Sequence, residues 1–191
     1  STYVELLFDS RANRLSPFDG MLHRAWARRY VSVSGLDQDY IYYGFSDYFY
    51  VPVGPDRSFI FAIDTDVREG DLTSLEDMKL GGMRDVRGWV SDELRGTAKV
   101  VGTVQYRMKL FGPRYFQLPK IGAFDFTVNG VAFVDSGTLT DSILDFRARA
   151  FHSSGGVGLE VISPLRDLIR LEVAADAHGQ YAYYMTAGTD F

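Results

Sequence analysis

Cysteine is missing altogether from the 191 residues, and so is any long apolar run. The absence of cysteine fits an oxidising compartment, where stray thiols are a hazard, although many cytosolic chains lack it too. No stretch approaches the ~20 apolar residues that a transmembrane helix requires, and mean hydropathy is only -0.09. A helical membrane protein is therefore excluded, whereas strands that alternate in polarity would average out in the same measure. Basic excess is lacking as well. The net charge is -5, so the clustered basic face of a nucleic-acid binder is not expected. Catalytic signatures are also wanting. Gly44-Phe45-Ser46 runs into Asp47-Tyr48 rather than a nucleophile elbow, and there is no phosphate loop and no His-Glu-x-x-His. His23, His152 and His178 stand isolated along the chain and read as surface or loop residues, not metal ligands. No enzyme, cofactor or metal is expected. No signal peptide is visible, and a chain that starts at Ser1 says little on that point.

What the chain does have is aromatic residues, 15% of the total, with 12 Tyr and 14 Phe. They sit in segments of period 2. From Gln180 to Phe191, Tyr181, Tyr183, Met185, Ala187 and Thr189 share one face, and Ala182, Tyr184, Thr186, Gly188 and Asp190 the other. A terminal strand that closes on Phe191 is the pattern of an outer-membrane β-barrel, whose aromatic rings sit at the membrane interfaces. Ala98 to Leu110 is the clearest case. Val100, Val104, Tyr106, Met108 and Leu110 lie on one face, and Lys99, Thr103, Gln105, Arg107 and Lys109 on the other. In a soluble sandwich the apolar face would be core; in a barrel it meets lipid and the charges line a wet lumen. Similar alternation runs through Val4–Phe8, Tyr40–Val51, Arg57–Asp66, Phe124–Asp135, Val157–Val161 and Ile169–Asp176, while Met21–Val31 alternates poorly. On this basis Asp64 and Asp66 line the lumen rather than form a catalytic pair.

Short and long connectors alternate. Val53-Gly54-Pro55-Asp56 and Pro164-Leu165-Arg166-Asp167 read as tight turns, and Glu69–Thr97 and Ser136–Ser154 as long loops. Short turns on one rim and long loops on the other is the outer-membrane arrangement. Asp141–Ala150 has helical character, with Thr140 or Asp141 as a candidate N-cap. Gly155–Gly158 lacks dinucleotide-binding spacing, and its small residues relieve crowding at the wall. The expected fold is all-β: one domain, 1–191, forming an antiparallel transmembrane barrel of about eight strands, or nine, with a long inward-folding loop.

Within the long loop the residues become specific. Gly81-Gly82 is followed by Val86-Arg87-Gly88-Trp89 and Gly96. Then come Phe133-Val134-Asp135-Ser136-Gly137, Gly155-Gly156-Val157-Gly158-Leu159-Glu160, Ser163-Pro164-Leu165 and Ile169-Arg170-Leu171. Upstream stand Phe8-Asp9-Ser10-Arg11, Asn13, Ser16-Pro17 and Gly20. In this order the motifs resemble the C-terminal barrel half of the BamA/TamA-like assembly and translocation proteins, the bacterial surface antigen family. The resemblance spans essentially the whole chain. It implies an outer-membrane location in a Gram-negative-type bacterium and a role in membrane protein insertion or polypeptide translocation. The alternative is a structural or pore-forming barrel that kept the fold and lost that role.

By the same resemblance, Val86, Arg87, Gly88 and Trp89 form the tip of a loop that folds into the lumen. Asp135 is its lumen-facing aspartate, and Tyr181, Tyr183 and Phe191 make up a C-terminal assembly signal. Two departures stand out. Where the family has an acidic residue after the loop, this chain has Gln105, so loop locking is expected to be weaker or to draw on Asp64, Asp66 or Glu160. The family barrel has sixteen strands, usually preceded by POTRA domains, and this chain has room for about half. It reads as a fragment or a short form. Expected partners are outer-membrane lipid, a second copy or a missing barrel half, and unfolded outer-membrane protein clients; nucleic acid is not among them.

Overall fold

Alternation decides which residues each strand turns inward, and ladder register then carries that choice across the sheet, because residues directly paired share a face. The computed structural model describes residues 1–31, 39–70, 77–118, 122–146, 151–162 and 168–188. Its strands are β1 (Thr2–Asp9), β2 (Gly20–Val31), β3 (Asp39–Gly54), β4 (Arg57–Gly70), β5 (Met78–Gly81), β6 (Val90–Gly96), β7 (Ala98–Leu118), β8 (Gly122–Thr140), β9 (His152–Ile162), β10 (Leu168–Asp176) and β11 (Tyr181–Gly188). Nine of them form one antiparallel sheet in the order β1-β2-β3-β4-β7-β8-β9-β10-β11, and β5 and β6 pair separately as a hairpin. All-β and antiparallel is the expected class, with nine strands rather than eight. The segment Thr2–Asp9 pairs with β2 along its full length, from Thr2↔Arg29 to Asp9↔Leu22. Among the described residues no ladder joins β1 to β11.

The outward face is apolar on strand after strand. Leu6 and Phe8 on β1, Phe45 and Phe49 on β3, Phe61 and Ile63 on β4, Val134 on β8, Val157 and Leu159 on β9, and Tyr183 and Met185 on β11 are all exposed. So much unshielded apolar surface is what lipid covers and water would not tolerate. The poor alternation of Met21–Val31 has a simple cause. Its middle outward positions are short or polar (His23, Ala25, Ala27), while Trp26 and Tyr30 turn inward with Arg24 and Arg28. His23 is not isolated, since its Nδ1 lies 2.7 Å from Asp47 on β3, so this outward polar pair satisfies itself.

The inward face is polar and closely packed. Arg107, Asn129, Asp135 and Glu160 are buried there. The sheet coils strongly around this face. Tyr48 on β3 interacts electrostatically with Arg170 on β10, although five inter-strand steps, about 24 Å if flat, separate them in ladder order. The β1–β2, β3–β4, β7–β8 and β9–β10 connectors share a turn rim. The opposite, loop rim receives those of β2–β3, β4–β7, β8–β9 and β10–β11. The two rims do not divide cleanly by length. The β1–β2 connector takes ten residues on the turn rim, and β10–β11 is a tight turn on the loop rim, closed by Asp176 backbone and side-chain bonds to Gln180. The expected tight turn at Pro164–Asp167 and the terminal Phe191 lie outside the described residues. Of the helical expectation for Asp141–Ala150, residues 147–150 lie outside the described residues, and the described part holds a single 3-10 turn, Ile143–Asp145. Its N-cap is Ser142 rather than Thr140 or Asp141, because Ser142 Oγ accepts from the Leu144 amide.

If the outward belt meets hydrocarbon, Val134→Arg will cost about 2–4 kcal/mol near the bilayer midplane and Val134→Leu almost nothing. Urea unfolding in lipid vesicles, followed by heat-modifiable gel migration, measures both. Equal stabilities, or a monodisperse folded species in plain buffer, would show that the belt does not face lipid.

Candidate functional site: the inward-folded loop

The residues between β4 and β7 are not an open loop but carry the β5–β6 hairpin, with Met78 opposite Gly96 and Gly81 opposite Val90. Met78 and Leu80 alternate with polar residues, so one side of β5 is apolar. That side, with Val86, packs on Val101 of β7 and Leu139 of β8, and Trp89 and Leu94 flank the cluster. The hairpin is thereby held against the inner face, and the turn Gly82–Trp89 is carried across it. Lys99 on β7 fixes the near side of the turn, 2.8 Å from Asp85 and 3.3 Å from Asp66. Burial pushes the Asp85 carboxyl above its ordinary range, and the Lys99 charge pulls the other way.

Arg87 sits at the tip and is buried. Its Nε donates to Asp135 Oδ2 at 2.8 Å and its Nη2 to Oδ1 at 2.9 Å, a bidentate pair. The Arg87 backbone amide adds a third bond to the same carboxylate at 3.1 Å, and Thr103 Oγ1 a fourth at 2.8 Å. Nη1 donates to Glu172 Oε1 at 3.0 Å. The guanidinium also lies 3.3 Å from the centroid of the Phe133 ring, stacked on its face. Burial works to discharge the guanidinium, but the bonds and charge of Asp135, then of Glu172, outweigh it and raise its pKa. Two carboxylates and one ring face thus replace the water that the cation gave up.

Three glycines make room for this arrangement. Gly88 has φ +88, and a Cβ there would lie 2.9 Å from the Ala174 carbonyl carbon of β10, so the tip can press onto the wall only as glycine. The Gly88 amide donates to Tyr184 Oη on β11 at 2.9 Å. Gly156 leaves space for the Phe133 ring, and a Cβ on Gly158 would meet the Glu172 side chain at 2.7 Å. Trp89 lies between two histidines that the sequence leaves isolated, with ring centroids 4.2 Å from His152 and 5.7 Å from His178.

Arg87 and Asp135 are therefore together, and Gln105 stands opposite Phe133 in the β7–β8 ladder. Among the described residues Arg87 has no hydrogen bond to Gln105, Asp64, Asp66 or Glu160. The second carboxylate comes from Glu172 on β10, three strands from Gln105 in ladder order. Asp64 instead accepts from Ser46 and Tyr48, and Asp66 from Tyr42 at 2.6 Å. Tyr181 and Tyr183 stand on the outward face of β11, exposed and in ring contact at 5.8 Å.

A second charged cluster lies nearer the turn rim. Glu160 on β9 is fully buried between two arginines. Arg107 places Nε 2.8 Å from Oε2, an ion pair out of hydrogen-bond alignment, and donates from Nη2 to Oε1 at 3.0 Å. Arg170 Nη2 donates to Oε1 at 2.8 Å. By sequence Glu160 enters only as a substitute partner for Arg87. The inward parity shared by positions 107, 160 and 170 was the signal that could have joined them.

The profile of the Omp85 superfamily domain matches residues 1–191. The chain belongs to that superfamily, whose members are non-enzymatic outer-membrane assembly and translocation barrels of Gram-negative-type bacteria. A search of curated proteins found no match.

Removing one partner from a buried pair strands the other, at about 3–5 kcal/mol when no water reaches it. Arg87→Ala and Asp135→Ala will each destabilise the barrel, and the double variant will lose less than their sum. Urea titrations in lipid give the cycle; strictly additive losses would mean that the two side chains act independently.

Proposed function

We propose that this barrel assists the insertion of membrane proteins or the passage of polypeptides across the outer membrane. The observation that carries the reading is the seated loop. A conducting pore is served by an empty lumen, whereas here the Val86–Trp89 tip crosses the inner face and is bound to β8, β10 and β11. A tip fastened by ionic and hydrogen bonds, which water can replace as the tip lifts, can be released and reseated. Supporting the same reading, β1 and β11 present edges with no partner among the described residues. In lipid, backbone amides and carbonyls must find partners, so such edges invite a second copy, another barrel segment or a strand of a client. A homodimer that meets at these edges is the partner arrangement we favour. Tyr181, Tyr183 and Phe191 serve as the assembly signal, read by their aromatic rings.

The test is co-reconstitution in vesicles with an unfolded outer-membrane protein. The parent barrel will speed the client's protease-resistant folding over empty vesicles, and Arg87→Ala will lose most of that gain. Cysteines at Val4 or Tyr183, both exposed at the edges, will crosslink between copies. A correctly folded barrel that conducts ions but leaves client folding at the empty-vesicle rate would favour the pore-forming alternative. A clean monomer without crosslinks would mean that β1 and β11 of one chain close on each other.

A further inference from the structure

Arg87, which descends from the loop rim, and Pro17, which enters from the turn rim, stand at the two ends of one row of alternating charge. Arg87 is held by Asp135 and Glu172. Glu172 and Arg170 lie two residues apart on the same face of β10, and the charge of one acts on the other. Arg170 binds Glu160, and Glu160 binds Arg107. Arg107 Nη1 then donates to the Pro17 carbonyl at 2.6 Å. In order the members are Asp135, Arg87, Glu172, Arg170, Glu160 and Arg107: three carboxylates and three guanidiniums that balance.

The far end of the row is the β1–β2 connector, Ser10 to Asp19. It does not hang below the rim but folds over the inner face. Asn13 Oδ1 accepts from the Leu15 amide at 3.0 Å and shapes the turn. Ser16 and Pro17 are buried, and Asn129 Nδ2 on β8 donates to Ser16 Oγ at 2.8 Å. The Phe18 ring lies 6.0 Å from the Arg107 guanidinium and 5.8 Å from the Lys109 ammonium. The connector is thus a second inward strap, seated on the last member of the row.

We propose that this row couples the two straps, so that release of the loop tip at one rim loosens the connector at the other. The physical reason is charge balance in a buried site. When Arg87 leaves, three carboxylates face two guanidiniums. The buried excess draws Arg170 toward Glu172, and Arg107, left as the nearer cation on Glu160, turns its misaligned Nε into hydrogen-bond alignment and its Nη1 away from Pro17. The Pro17 carbonyl loses its donor, and a buried acceptor without a donor is costly. The inference goes beyond the insertion reading, because the coupling exists whether or not a client is present.

A cysteine reporter tests it in the full chain in lipid vesicles, since there is no native cysteine to interfere. Ser16→Cys is nearly isosteric and will be protected from maleimide in the parent barrel. Arg87→Ala and Arg87→Gln will each raise its labelling rate about fivefold or more, the low end of ordinary site-to-site coupling. Arg87→Gln removes the charge but keeps a polar side chain and carries the test should Arg87→Ala fail to fold; Glu172→Gln added to either restores the balance and will return Ser16→Cys to protection. Arg107→Met leaves the same negative excess beside Arg87 and will keep Val86→Cys, whose position is fully buried in the parent, protected. The proposal is overturned if Ser16→Cys labelling is unchanged in Arg87 single variants that still migrate as folded barrels. It is overturned equally if those variants expose Val86→Cys and leave Ser16→Cys protected.

Discussion

Hydrocarbon offers no partner to a charge or to a backbone amide, and the rest of this structure follows from that. The backbone is satisfied by long antiparallel ladders. The charges are satisfied by being sent, every second residue, to the other side of the wall. Twenty basic and twenty-five acidic residues can then coexist with an outward belt of Phe, Tyr, Val and Leu. The inner face inherits the opposite problem. It must accommodate many charges in little space, and it does so through ion pairs such as Arg24 with Glu5, Lys99 with Asp66, and Arg107 and Arg170 with Glu160.

The inward loop uses the same economy. An arginine enclosed by the wall without partners would be prohibitively unfavourable. Arg87 is acceptable because Asp135 offers both oxygens, Glu172 offers one, and Phe133 offers a ring face. The lock is therefore distributed over β8 and β10 rather than held by one strand. The apolar cluster under β5 positions the tip but does not select its seat; the carboxylates do. Glycine at 88, 156 and 158 is the steric counterpart, since a side chain at any of them would separate the tip, Phe133 or Glu172 from the wall.

Period 2 was enough to read the class of fold, the outward belt and the inward positions of Lys99, Gln105, Arg107 and Asp135. It failed where the outward side chains are small, as at Ala25 and Ala27 of β2, because alanine gives no contrast with its neighbours. It could not reveal the β5–β6 hairpin, whose first strand is only four residues long. Nor could it identify Glu172 as the second carboxylate on Arg87. Residues 87 and 172 are 85 apart in the chain, and their meeting depends on how tightly the sheet coils, which is a property of all nine strands together. The same holds for Trp89 between His152 and His178. Long-range partners on a curved wall are set by curvature and register, and a single sequence records neither directly.

The central claim is that the loop tip resides against the inner wall. Val86 of the tip packs against Val101 of β7, and the Cγ2 atoms of both lie within 3.0 Å of the place that a Cβ on Gly137 would take. Cysteines at Val86 and Val101 therefore fall within reach of a disulfide, whose Cβ atoms stand about 3.5–4.5 Å apart. The direct measurement is oxidation of the Val86→Cys, Val101→Cys double variant in native membranes, read as a mobility change on a non-reducing gel. Near-complete crosslinking, with both single variants protected from maleimide, is the result this account predicts. Two free thiols, each labelled rapidly from the aqueous phase, would contradict it.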